Sequence, residues 1–202
     1  MLYLKLLWKE CKHRLWLLIV SASAFAVLFH ISGYTVGKME YVYMLFALAA
    51  CAVILSEDET DFLILGHVRL ARVFVIRFIA SFFSVAAVPS LWILVFSKER
   101  RPLKAVFAFA VTVLIIAAIG AFFRVVLKNT LASLIFSLIT FTVFLFSTEL
   151  GLFSPFGSMG IAGMRDFYIN RFVWLIASAV LLAVCYILLS VKDRYRGIRR
   201  RK

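Results

Sequence analysis

S-E-D-E-T-D-F-L-I-L-G-H-V-R-L-A-R, residues 56–72, is the polar interruption on which the reading of this chain turns. Four carboxylates (Glu57, Asp58, Glu59 and Asp61) gather in it, and almost unbroken apolar sequence lies on either side. Behind them come the apolar patch Phe62, Leu63, Ile64 and Leu65, then Gly66, then the spaced Arg69, Arg72 and Arg77. A plain solvated loop accounts for the charge. It does not account for an apolar patch placed directly after it, which is the mark of an element on which something docks.

The 202 residues are 64% hydrophobic and 16% charged, with a mean hydropathy of +1.02. Soluble domains have about half apolar and about a quarter charged residues. The expected fold is therefore all-α and polytopic in a membrane. The length suits about six helical spans of ~20 residues in one transmembrane domain, residues 1–202, with no separate soluble domain. The formal net charge of +13 does not point to nucleic acid, because the basic residues flank apolar segments and seven of them lie in 192–202. Such flanks are a topology signal, and they attract anionic headgroups. Cys11, Cys51 and Cys185 are dispersed with no C-x-x-C pair, so neither a zinc site nor a disulfide framework is indicated. The first apolar run lacks a small-x-small cleavage site and is read as a retained span.

Residues 2–14 place Leu4, Leu7, Trp8 and Cys11 on one helical face and Lys5, Lys9 and Lys12 on another, the pattern of an interfacial helix. Spans are expected at 15–31, 41–55, 73–96, 105–123, 131–147 and 171–191. Pro89 falls inside the third and removes one backbone hydrogen bond there. The string at 33–39 (G-Y-T-V-G-K-M) lacks the spacing and the Ser/Thr of a phosphate-binding loop and reads as a tight turn. Residues 124–130 read as another. Residues 148–170 are apolar but broken by Gly151, Pro155, Gly157, Gly160 and Gly163, which suits a short re-entrant or interfacial hairpin. With the N-terminus inside, sixteen Lys and Arg fall on inner segments and seven, Arg171 among them, on outer ones. This places both termini, and residues 56–72, in the cytoplasm.

The expected span interiors are nearly bare of ionisable groups: His30 and Glu149 sit at outer ends, Arg77 and Arg124 at inner ends. Ion-coupled transporters place such groups near the bilayer midplane. Intramembrane enzymes need a nucleophile with its base, or a metal or aspartate pair. His13, His30 and His67 are too dispersed to share a site, and E-D-E-T-D lacks the basic partners of a Mg²⁺-dependent phosphotransferase. No catalytic residue, metal site or bound cofactor is expected, and any driving energy must come from outside the chain.

The order of elements resembles the permease subunit of type-2 ABC exporters: an amphipathic N-terminal helix, six spans with cytoplasmic termini, a coupling helix between spans two and three, and a re-entrant hairpin between spans five and six. At the coupling helix the family shows an acidic lead-in, an apolar patch and a Pro-Val-Ser-Arg-like turn. Here these are Glu57-Asp58-Glu59, then Phe62 to Leu65, then His67-Val68-Arg69-Leu70, with His67 in place of proline and Leu70 in place of arginine. The resemblance implies that Phe62, Leu63, Ile64 and Leu65 plug a cleft in a cytoplasmic ATPase, with Glu57, Asp58, Glu59, Asp61, Arg69 and Arg72 as its charged rim. It implies ATP and Mg on that partner subunit, and a second permease chain, identical or related. The substrate path would be lined by span two, rich in small residues (Ala47, Ala49, Ala50, Cys51, Ala52), and by Ser133, Phe136, Ser137, Thr140, Phe141 and Phe144 of span five. Aromatics with weak polar handles suit a hydrophobic or amphipathic cargo. Short loops, and Asn129 and Asn170 without Ser or Thr two positions on, fit a bacterial inner membrane. The alternative is an accessory membrane scaffold that binds a cytoplasmic partner through 56–72 and moves nothing.

Overall fold

The computed structural model describes residues 15–36, 41–48, 70–98, 100–146, 154–156 and 164–199. Among the described residues there are helices and no strands. α1 is Leu15–Ile31 and α2 is described at 41–48. α3 is Leu70–Phe96, α4 Pro102–Leu127, α5 Thr130–Phe146 and α6 Met164–Arg199. α3, α4 and residues 165–192 of α6 are long and apolar enough to cross a membrane. α1 and α5 have 17 residues each, about 26 Å at the α-helical rise. The chain has the helices of a membrane protein.

Local chemistry sets the helix ends. α1 closes on Gly33, whose φ of +68° is open to glycine at no steric cost. Gly33 N–H donates to His30 O at 3.0 Å and Tyr34 N–H to Phe29 O at 2.9 Å, the paired bonds of a Schellman motif. The Tyr34 ring then folds back on Phe29 at 5.5 Å. The turn expected at 33–39 is thus a helix C-cap over its described part. Between α4 and α5 the connection is two residues long. Lys128 takes the left-handed conformation and donates to Arg124 O. Asn129 Oδ1 accepts from Leu131 N–H (2.9 Å) and Ala132 N–H (3.2 Å), so it caps α5.

Successive helices alternate in direction. Lys98 N–H donates to Tyr34 O at 3.1 Å, which brings the ends of α1 and α3 together at one end of the bundle, where α4 begins. Lys128 and Asn129 mark the other end. α4 is the central post. It packs on α3, α5 and α6, while α3 also meets α1 and α6. The apolar stretch of α4 is 67% buried and that of α6 only 11%. α6 touches its neighbours along one seam: Phe167, Arg171, Ser178 and Cys185 are buried, and Trp174 and Leu181 pack partly on the core. These alternate at spacings of four and three, the period that keeps one stripe on a facing helix. The other face presents Phe172, Ile176, Val180 and Ile187, each more than half exposed.

Pro89 sits inside α3. Without an N–H it leaves the carbonyl four residues back, on Val85, without its helical donor. The Tyr43 hydroxyl of α2 donates to that carbonyl at 2.6 Å, and the Ser21 hydroxyl of α1 bonds the adjacent Ser84 O at 2.8 Å. All four of these residues are buried. The proline thus makes α3 a hydrogen-bonding anchor for the two helices that precede it. The Tyr43 ring packs on Phe25 at 5.1 Å and on Phe109 at 5.5 Å, and this joins α1, α2 and α4 at the same level.

Several expected boundaries move. α4 continues to Leu127, beyond the expected end at 123, because nothing in Arg124-Val125-Val126-Leu127 breaks a helix and the stop comes only at Lys128-Asn129. α6 begins at Met164 rather than at 171, so 164–170, expected in the hairpin, are helical. The glycines that argued against helix all precede Met164. Of the expected hairpin, residues 154–156 are described and buried. The remainder of 148–163, the second half of span two and the helix expected at 2–14 lie outside the described residues.

Tyr43→Phe removes the donor to Val85 O, and the expected loss is about 1–3 kcal/mol for a buried acceptor left unmade. Pro89→Ala restores the helical N–H, so Tyr43→Phe should cost much less in a chain that already carries Pro89→Ala. A double-mutant cycle on thermal unfolding in detergent measures this coupling; a Tyr43→Phe cost unchanged by Pro89→Ala would refute it.

Candidate functional site

The most deeply buried cation among the described residues is Arg171. It is 0% exposed and reaches α4 at Ala108 and Thr112, about 9 to 15 Å along that helix from its start. Its Nη1 donates to Ala108 O (3.2 Å) and Thr112 Oγ1 (2.8 Å), and its Nη2 to Pro155 O (2.8 Å). Thr112 Oγ1 lies 3.0 Å from Ala108 O and 3.1 Å from Pro155 O. The planar guanidinium suits this duty, because its forked N–H groups reach several acceptors at once. Sequence reasoning counts Arg171 among outer-segment residues, in a chain with nearly bare span interiors. The structure shows its side chain buried between α6, α4 and residues 154–156. Residues of its class at such depth pair with carbonyls or with one another and are a default sign of function.

Around Arg171, the non-helical residues 154–156 enter the helix bundle. Asn170 Nδ2 donates to Ser154 O at 3.0 Å, Ser154 Oγ contacts Phe144 O at 3.3 Å, and Phe156 N–H donates to Ser154 Oγ at 3.2 Å. Phe156 then packs between Tyr41 (5.3 Å) and Phe141 (5.1 Å). Irregular backbone inside a membrane protein needs its polar groups satisfied by protein. Here Asn170 and Arg171, neighbours at the first turns of α6, supply the donors.

One turn deeper lies an apolar cleft of about 480 Å³. Its floor is Ile115, Ile119, Phe122 and Phe123 of α4; its walls are Thr140 and Phe144 of α5, and Trp174, Ala177, Val180 and Leu181 of α6. Phe144 and Trp174 meet edge to face at 5.1 Å, bridging the walls on the side nearest Arg171.

The residues expected to line a substrate path separate onto two stripes of α5. Thr140 and Phe144 line the cleft. Phe136, one turn before Thr140, is 47% exposed and packs on Phe123 at 5.7 Å. Ser133, Ser137 and Phe141 are buried on the other stripe, where Ser133 Oγ donates to Asn129 O at 2.5 Å and Phe141 meets Phe156. Of span two, Ala47 is buried; Ala49, Ala50, Cys51 and Ala52 lie outside the described residues. So do Glu57, Asp58, Glu59, Asp61, Phe62, Leu63, Ile64, Leu65 and Arg69. Arg72 stands exposed in the first turn of α3. Arg171 and Asn170 are the residues that sequence reasoning missed. Their signal was present: a cation and an amide one turn inside the long apolar run that starts at 165.

Arg171→Met should destabilise the protein by about 1–3 kcal/mol for each buried acceptor that it leaves unmade. It should also release residues 154–156. In a background with Cys11, Cys51 and Cys185 replaced by Ala, Ser154→Cys should resist a maleimide when Arg171 is present and react when Met replaces it. Arg171→Lys should fall between, since an ammonium lacks the fork. Comparison of the chain with protein families, with curated proteins and with solved structures finds no match.

Proposed function

We propose that the chain is the transmembrane subunit of an ATP-driven exporter, coupled to separate cytoplasmic ATPase subunits and paired with a second permease chain. The observation that carries this reading is the amphipathic element at 56–72, an acidic run followed at once by Phe62-Leu63-Ile64-Leu65, set between apolar segments. A docked ATPase would grip the apolar patch, and the flanking charges would steer the encounter. The element lies between α2 and α3, which are tied by the Tyr43–Val85 bond. A push on it would be delivered to both helices together.

In this reading the chain crosses the membrane six times, with both termini in the cytoplasm of a bacterial cell. α1 and α5 count among the spans. The cargo is hydrophobic or amphipathic. The supporting feature is the apolar cleft on α5, where Thr140 is the one hydroxyl among hydrocarbon side chains. Arg171 bonds backbone carbonyls and a threonine, which suits a structural anchor better than a proton or ion relay. The driving force then comes from the partner, where ATP and Mg are bound.

Replacing Phe62 and Leu63 with Asp should abolish co-purification of the ATPase while the chain still inserts. Copy number in the membrane fraction and ATP hydrolysis by the purified complex are the two readouts. A complex that survives the double substitution would remove the docking role of 56–72.

A further inference from the structure

We draw no further inference here: the strongest candidate, the apolar cleft between α4, α5 and α6, carries nothing further, because the Thr140 hydroxyl in its lining already donates to Phe136 O and nothing in the structure shows what covers its apolar face.

Discussion

A carbonyl that loses its helical donor inside an apolar bundle must find another, and this protein meets that constraint at Val85 with the Tyr43 hydroxyl. Pro89 creates the need. Unmet, it would cost about as much as a buried hydrogen bond left open. Met by a side chain of α2, with Ser21 of α1 at the adjoining Ser84 O, it becomes the tie by which α1 and α2 are held to α3. Two hydroxyls thereby tie together three helices whose packing surfaces are otherwise largely apolar. Hydrocarbon packing alone would let them slide.

The same rule governs the opposite side of α4. Residues 154–156 bring non-helical backbone inside the bundle, and the Asn170 amide and Arg171 guanidinium supply its donors. Arg171 also grips Ala108 and Thr112, so a single side chain joins α6, α4 and the segment between α5 and α6. The cleft lies just beneath. Its bridging Phe144–Trp174 pair is placed by the elements that Ser154 and Arg171 hold: Ser154 reaches Phe144 O, and Trp174 is one turn along α6 from Arg171. The polar cluster and the apolar cleft are therefore one construction. Losing the cluster would be felt in the shape of the cleft.

For function, the division of labour matters. In the proposed reading, docking at 56–72 acts on α2 and α3, which are joined through Tyr43. Cleft and cluster sit on α4, α5 and α6. α4 links the two halves, because its Phe109 packs on Phe25 and Tyr43 while its Ile115, Ile119, Phe122 and Phe123 floor the cleft. α3 of the first half also meets α6 of the second directly.

What could be read along the chain was whatever is local. Hydropathy edges placed the C-terminal ends of α1 and α3 and the start of α5 to within one residue, since a helix in hydrocarbon stops where turn formers or charges begin. Thr140 and Phe144 could be picked from composition as residues of an apolar lining. The i, i+4 spacing of Ser133, Ser137 and Phe141 against Phe136, Thr140 and Phe144 already marks two stripes. Which stripe faces the core depends on where α4 and α6 lie, and no window on α5 contains that. The role of Arg171 was hidden for the same reason: its acceptors Ala108 and Thr112 stand 63 and 59 residues earlier. Taken alone, the arginine looks like a flanking charge at a span end. Only the tertiary structure turns it inward, because backbone at Pro155 brought inside the bundle needs a donor, and a guanidinium on the facing helix can reach it and α4 together.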